Sequence, residues 1–307
     1  MSTEKKTVKD FKIEGNILAP FTPFKENGDV DLEIIPKYVD LILKYNIPNV
    51  FVLGTTGEGA TLTVEERKQV TEAWARAVDN KPLTIIAHVG GANLRESMDL
   101  ASHAETVDGV QAIAATGSVY YKPKTEDVEV DYIKQIAAEA PSLPFFYYDI
   151  DFMTGIKLNV SSLAQLATKV IPTFRGIKHS SKSIASMVNC SMIGGVQVIN
   201  GAVDQYLAAL TCGMEWPVLG VPCTAPIATK IKEAYDQGDM KTAREQQEYL
   251  QRLYNLRDSV GGGNGVLRAI VKLIDGIDFG RSRCPIPYPT QDNIDTLKQG
   301  LIDLEFL

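Results

Sequence analysis

The segment NVFVLGTTGEGATLTVEERKQVTEAWARAVDNKPLTIIAH, from Asn49 to His88, decides the fold. It opens with a short apolar run, continues into a helix-period segment at Val64–Val78 and closes with a second apolar run at Leu83–His88. Thr63 and Glu66 have the spacing of a capping box at the start of the helical segment. Near-continuous apolar runs are typical of parallel strands buried on both faces, so the segment predicts a β-α-β unit.

The same alternation repeats along the chain. Eight apolar runs predict strands at Ile17–Phe21, Asn49–Leu53, Leu83–His88, Gln111–Ala115, Pro144–Ile150, Phe174–Lys178, Gln197–Asn200 and Pro217–Val221. Amphipathic segments such as Leu32–Tyr45 lie between them. No G-x-G-x-x-G motif follows the first strand, which argues against a dinucleotide-binding sheet. The pattern therefore predicts an α/β fold of the (β/α)8 TIM barrel class.

Beyond about residue 225 the pattern is purely helical. We expect helices at Ile227–Tyr235, Lys241–Ser259, Val266–Ile274 and Gln291–Leu304. The run Gly261–Gly265, which reads GGGNG, predicts a loop between two of them. We expect a single domain made of a polar N-terminal segment (1–12), the barrel (13–236) and a C-terminal helical extension packed on it (237–307).

Composition limits the classes of function. The 307 residues are 45% apolar and 22% charged, with a net charge of −7, and the basic residues are scattered. This disfavours nucleic acid and anionic membranes as partners. The four cysteines and three histidines have no metal-ligand spacing, so we expect no metal and buried thiols in a reducing compartment. The polar N-terminus and the lack of a membrane-length apolar run predict a cytoplasmic protein.

Active sites of such barrels lie at the carboxyl ends of the strands. The second predicted strand is followed by the turn Gly54–Glu58, which reads GTTGE and is either a small anion cradle or an ordinary polar turn. Tyr148 ends the fifth strand and either transfers protons or packs. Lys178 ends the sixth strand. It is either a desolvated amine with a lowered pKa, hence a nucleophile, or a lysine that reaches out to solvent.

At these positions the sequence resembles the N-acetylneuraminate lyase and dihydrodipicolinate synthase superfamily of pyruvate-dependent class I aldolases. Within it, the sequence is most similar to the animal-type N-acetylneuraminate lyases. The resemblance runs from about residue 15 to about residue 285. Its marks are Ala19–Phe24, Gly54–Gly59, Lys122-Pro123, Thr154-Gly155, Phe174–Lys178, Gly276-Ile277 and Arg283.

The resemblance implies a role for each of these side chains. Lys178 would form an imine with the keto carbon of pyruvate, Thr55 and Thr56 would bind the carboxylate, and Tyr148 would move the proton. Tyr120 would stand near the proton relay. Further substrate-binding positions would be Ser180, Gly201, Val203, Asp204 and Val221. The resemblance also implies no cofactor beyond the covalent lysine imine, small-molecule substrates only, and a homotetramer or homodimer.

The sequence departs from the family pattern at four places. Met153 replaces an arginine that grips a dicarboxylate in the synthase branch, which argues against dihydrodipicolinate synthesis. Val203 and Asp204 replace an Asp-Glu pair that binds sugar hydroxyls in the sialic-acid branch. The segment Gly220–Thr224, which reads GVPCT, replaces a hydroxyl-rich one, and Asp151 replaces a proline. These changes predict an acceptor pocket with fewer donors for a polyol.

Three functions are therefore weighed. The first is a pyruvate-dependent aldolase or lyase whose partner is an aldehyde or imine with fewer hydroxyls than N-acetylmannosamine. The second is a genuine N-acetylneuraminate lyase, which yields N-acetylmannosamine and pyruvate. The third is a non-catalytic, ligand-binding relative. Retention of Lys178, Tyr148, Thr55 and Thr56 together argues against the third.

Overall fold

The chain forms a barrel of eight parallel strands. The computed structural model describes residues 8–307. The strands are β1 (Ile17–Leu18), β2 (Asn49–Val52), β3 (Thr84–His88), β4 (Val110–Ala115), β5 (Phe145–Asp149), β6 (Phe174–His179), β7 (Gln197–Asn200) and β8 (Val218–Leu219). They follow one another around the sheet in chain order, and β8 pairs with β1. A parallel bridge between Asn200 and Pro217 brings β7 to β8. The predicted TIM barrel is confirmed.

Helices surround the strands. The helices that connect successive strands are α1 (Ile35–Lys44), α2 (Val64–Ala77), α3 (Leu94–Thr106), α4 (Glu126–Ala138), α5 (Asp151–Thr154), α6 (Val160–Val170), α7 (Ile184–Ser191) and α8 (Tyr206–Thr211). The predicted capping box is confirmed: the backbone N–H of Glu66 donates to the Thr63 hydroxyl, and the Glu66 carboxylate accepts from the Thr63 N–H. The predicted helix at Leu32–Tyr45 begins as the 3₁₀ turn Leu32–Ile34, and Pro36 stands in the first turn of α1.

The first and last strands are shorter than predicted. Both have two residues, where the sequence suggested Ile17–Phe21 and Pro217–Val221. Pro20 and Pro217 have no backbone N–H, so neither can donate to the ladder. Ladder bonding nevertheless reaches one residue past β1, because the N–H of Ala19 donates to the carbonyl of Leu219 at 2.9 Å.

The core has two layers. Alternate strand residues such as Phe51, Phe146 and Tyr148 fill the inside of the barrel. The residues between them, such as Val50, Phe145 and Tyr147, pack against the helices. This alternation follows from the period of two in a strand and explains why both faces of each strand are apolar.

The C-terminal part is helical, as predicted, and comprises α9 (Ala225–Asp236), α10 (Met240–Ser259), α11 (Gly263–Asp275) and α12 (Gln291–Asp303). The loop predicted at Gly261–Gly265 is partly wrong, because α11 already begins at Gly263. The domain boundary at residue 236 stays a prediction. Of the predicted N-terminal segment 1–12, residues 1–7 lie outside the described residues.

The structure bears on membrane-spanning helices, metal sites and the state of the cysteines. Over residues 8–307, no helix is both long and apolar enough to cross a membrane. In the same part of the chain, no cluster of three or more His, Cys, Asp or Glu side chains could hold a metal ion. All four cysteines are free, and three of them are buried. The expectation of buried thiols is wrong for Cys284, which is exposed.

Candidate active site

Lys178 lies at the carboxyl end of β6 and is 3% exposed. Its amine lies between two aromatic rings: Nζ is 4.0 Å from the ring centre of Phe51 and 3.8 Å from that of Tyr148. Burial lowers the pKa of Lys178 to about 7. Removal from water disfavours the ammonium, so a large fraction of the amine is uncharged at neutral pH. An uncharged amine is the form that attacks a carbonyl carbon.

Tyr148 lies beside Lys178 because β5 and β6 pair in parallel with these two residues in register. Its hydroxyl is 3.0 Å from the Thr55 Oγ1. Burial, with a contribution from the Asp149 carboxylate, raises the pKa of Tyr148 to about 12, while the hydroxyls of Thr55 and Ser180 act the other way. The phenol is therefore protonated at neutral pH and placed to donate a proton close to the amine.

The turn after β2 brings two more hydroxyls to the same end of the barrel. Thr55 and Thr56 line the cavity above Lys178. The turn is tightly folded: Leu53 and Glu58 have φ of 62° and 54°, in the left-handed region. A Cβ on Gly59 would lie 2.0 Å from the Leu53 carbonyl oxygen, so only glycine fits there.

The cavity at this end of the barrel has a volume of about 820 Å³. That is enough for a small-molecule substrate larger than pyruvate. Its floor carries Lys178, Tyr148 and Ala19. Its wall includes charged and polar side chains from the loops after β5, β6 and β7 and from the C-terminal helices, namely Asp151, Ser181, Lys182, Ser183, Asp204, Arg257 and Asn264.

Besides Thr55 and Thr56, four of the predicted substrate-binding positions line this cavity: Ser180, Gly201, Val203 and Asp204. Ser180 follows β6 directly and is 4% exposed. Gly201 follows β7 and lets Ser180 approach, because a Cβ at this position would lie 2.0 Å from the Ser180 Oγ. The structure thus brings these positions together with Lys178, Tyr148, Thr55 and Thr56.

Val221 is not brought into the cavity. It is 1% exposed and lies behind the cavity wall, beside Leu253 and Ile270. Leu219 and Val221 belong to the layer between strands and helices, whereas Val218 belongs to the barrel interior. A side chain three positions beyond Val218 takes the opposite face of an extended chain. The prediction that Val221 faces the substrate is not supported.

Tyr120 also lies away from Lys178 within one chain. Its side chain is 81% exposed, and its ring contacts that of Tyr121 with the ring centres 5.1 Å apart. Neither tyrosine lines the cavity. A role for Tyr120 at the amine of its own chain is therefore not supported by this geometry.

Sequence reasoning missed several residues of the site. His88 was interpreted only as the end of an apolar run, yet its ring stands edge-on to that of Tyr148, with the ring centres 5.6 Å apart. Burial lowers the pKa of His88 well below its ordinary value, with further contributions from Arg67 and Lys178, so the imidazole is neutral. Its Nδ1 is 3.1 Å from the carbonyl oxygen of Leu53, which makes it a support for the turn at Thr55. Its position at the end of β3 was the available signal.

A family model matches this arrangement over nearly the whole chain. Residues 12–301 match the Dihydrodipicolinate synthetase family. The chain belongs to this family. The resemblance inferred from the motifs is thereby confirmed.

Curated relatives and solved structures agree with the family match. The N-acetylneuraminate lyase of Homo sapiens is 35% identical over 301 residues, covering 96% of this chain and 94% of the relative. The N-acetylneuraminate lyase structure from Aliivibrio salmonicida is 30% identical, with a TM-score of 0.91 over 97% of this chain and 98% of that one. A catalytic lysine mutant of the Ruminococcus gnavus sialic acid aldolase is 27% identical, with a TM-score of 0.87 over 95% and 97% of the two chains.

Membership defines the class of enzyme. The chain is a class I aldolase of the lyase type, which works through a lysine Schiff base, and this chemistry needs no external cofactor. The non-catalytic alternative is therefore not retained.

Proposed function

We propose that the chain cleaves or forms a carbon–carbon bond at the methyl carbon of pyruvate, the carbon adjacent to its keto group, through an imine on Lys178. The observation that carries the proposal is the buried Lys178 amine, with a pKa of about 7, whose Nζ lies 3.8 Å from the ring centre of Tyr148 at the floor of a cavity. A buried, partly uncharged amine beside a phenol is what imine formation requires.

The residues fit the steps of such a reaction. The Lys178 nitrogen attacks the keto carbon, the carbinolamine loses water, and the resulting iminium accepts the electron pair of the bond that breaks. Tyr148, protonated at neutral pH, donates a proton to the oxygen that develops negative charge during condensation and takes it back during cleavage. Thr55 and Thr56 line the same cavity, and we assign their hydroxyls to the pyruvate carboxylate.

The proposal extends to the second substrate, for which we favour an aldehyde or imine with fewer hydroxyls than N-acetylmannosamine. The support is Val203, which lines the cavity where the sialic-acid branch has a carboxylate. Val221 no longer contributes, because it lies behind the cavity wall. The partner must also match Asp151, Asp204 and Arg257, so it is not a fully apolar molecule. Loss of a proton from the methyl carbon of the pyruvate iminium gives an enamine. Attack of this enamine on an imine, or on an aldehyde with later loss of water from the product, fits the same site.

A second candidate is N-acetylneuraminate cleavage. It is favoured by sequence identities of 32–35% with vertebrate N-acetylneuraminate lyases. The cytoplasmic location and the homodimeric or homotetrameric assembly expected from the sequence stay predictions.

Two experiments test the proposal. Borohydride reduction in the presence of pyruvate should leave one reduced adduct, and peptide mass spectrometry should place it on Lys178. An adduct on another lysine, or none, would refute the assignment.

A steady-state assay on N-acetylneuraminate then separates the two candidates. Loss of two hydrogen-bonded hydroxyls would lower kcat/KM by about 10²-fold or more. Turnover of about 1–10³ per second would instead favour N-acetylneuraminate cleavage.

A further inference from the structure

The turn that carries Thr55 and Thr56 is attached to the C-terminal extension. Asn264, the second residue of α11, donates its side-chain amide to the carbonyl oxygen of Thr55 at 3.0 Å and to that of Thr56 at 3.4 Å. Both acceptors are carbonyl oxygens, so the amide group must present its NH₂. A single side chain thus holds the main chain of both threonines that line the cavity.

Asn264 reaches this position because of the glycines before it. Gly261, Gly262 and Gly263 have φ of 103°, 63° and 73°. Three consecutive residues in the left-handed region are accessible to glycine and costly for other residues. This bend between α10 and α11 starts α11 at the cavity mouth, where Gly263 and Asn264 form part of the wall.

Four residues further along α11, Arg268 holds the other end of the turn that follows β2. Its guanidinium donates to the Glu58 Oε1 at 2.7 Å and 3.2 Å, and both side chains are at most 1% exposed. The Ser282 hydroxyl donates to the same carboxylate oxygen at 2.7 Å. Residues four apart on a helix share a face, so α11 holds the turn at Thr55-Thr56 with Asn264 and at Glu58 with Arg268.

The two attachments differ in what they can control. The Arg268–Glu58 pair is completely buried, so removing one partner destabilises the fold by leaving a buried charge without its ion-pair partner. Asn264 is only partly buried at the edge of the cavity, and its bonds end on the carbonyls of the two carboxylate-binding residues. Recognition of a carboxylate by compact donors depends on their placement to within about 0.5 Å.

We propose that Asn264 is a positioning residue for pyruvate, which sets the geometry of the carboxylate-binding turn from the C-terminal extension. The inference rests on the proposed function, since it takes Thr55 and Thr56 as the carboxylate site. It assigns the extension a part in substrate recognition, although none of its residues reacts. Loss of the Asn264 amide should weaken the interaction with the carboxylate and leave the chemistry at the keto carbon unaffected.

The test compares two ketones that differ in the carboxylate. Pyruvate carries it, and methyl pyruvate has the same keto group with the charge masked as an ester. Half-saturating concentrations for borohydride-trapped imine are measured for the parent and for Asn264→Ala. The value for pyruvate should rise by about three- to tenfold, the usual effect of one hydrogen bond. The value for methyl pyruvate should change by less than about twofold.

The matched control is Asn293→Ala. The side-chain amide of Asn293 also donates to a backbone carbonyl, that of Val260 at 3.2 Å, within the same extension. Neither ketone should be affected by this substitution. A general loosening of the extension would weaken the binding of both ketones in both variants.

The outcomes separate the two levels of inference. If Asn264→Ala weakens the binding of both ketones equally, or does not weaken the binding of pyruvate, the role of Asn264 is overturned and the proposed function stays intact. If the parent forms no adduct on Lys178 with pyruvate, the proposed function fails and this inference fails with it. Trapping of methyl pyruvate by the variant shows at the same time that its site is folded.

Discussion

The charge of the Lys178 amine should control how fast an imine forms, and pH is the perturbation that tests this. The pKa of an ordinary lysine is 10.5, and burial lowers that of Lys178 to about 7. At pH 7 about half of the Lys178 amine is therefore uncharged, against about one molecule in 3,000 for a lysine in water, because the two values differ by about 3.5 decades. Burial alone thus raises the reactive fraction at neutral pH by about 10³-fold.

The surroundings of the amine explain why the pKa of Lys178 is lowered and not raised. Nζ lies against the faces of the Phe51 and Tyr148 rings, which attract a cation by about 0.5–2 kcal/mol each. An ammonium that leaves water without an ion-pair partner loses several kcal/mol of hydration free energy, and this penalty exceeds the attraction by the two rings. The net pKa is therefore below that of a solvated lysine.

The assay is rapid mixing with pyruvate at pH 5 to 10, followed by a quench into borohydride at one fixed pH, with the adduct measured by mass spectrometry. The initial rate should climb about tenfold per pH unit below about pH 7 and level off above it. Lys178→Arg should give no adduct at any pH. A rate that keeps climbing to about pH 10 would show a solvated amine and refute the reasoning.

Three further predictions concern residues of the site. Tyr148→Phe should lower kcat by about 10²-fold or more while borohydride trapping of pyruvate persists, and unchanged turnover would mean that another group carries the proton. Lys178→Met should be more stable than the parent at pH 7, by up to about 4 kcal/mol. The folded pKa of Lys178 lies below the unfolded one, so the parent gains stability as pH rises from about 7 to 10.5; denaturant titrations should find the difference closing over that window, and a less stable Met variant at pH 7 would contradict it. Gly201→Ala should lower kcat/KM because its Cβ would lie 2.0 Å from the Ser180 Oγ, whereas Gly194→Ala, with nothing within 4 Å, should match the parent.

Local patterns were sufficient for most of the barrel. Each predicted strand exists, and the predicted α2 is correct to one residue, because apolar periodicity and the Thr63 cap are local signals. The errors concern the ends of elements, where the backbone conformation of proline and glycine sets the boundary. Pro20 follows β1 and Pro217 precedes β8, and neither can donate to the ladder, while the left-handed glycines before α11 allowed the helix to begin two residues after Gly261.

The site was predictable only where it follows strand ends. Lys178, Tyr148, Thr55 and Thr56 meet because the carboxyl ends of parallel strands meet at one face of a barrel. Asn264 and Arg257 come from the helical extension, and no local pattern indicates that a residue 209 positions after Thr55 will bond to it. Val221 was expected at the cavity from the family resemblance, which does not indicate the face that its side chain takes, and the structure places it behind the cavity wall.

Strand register is what gives this barrel its chemistry. Tyr148 pairs with Lys178, and the next pair along β5 and β6 is Asp149 with His179. Since successive side chains alternate, the first pair faces the cavity and the second faces the helices, where Asp149 Oδ2 lies 2.6 Å from His179 Nδ1 in a buried contact. A slip of one residue would exchange the faces: the carboxylate and imidazole would enter the barrel, and the amine would be buried among the helices. Because Lys178 and Tyr148 suit the cavity and the buried Asp149–His179 pair suits the opposite face, both pairs favour the observed register.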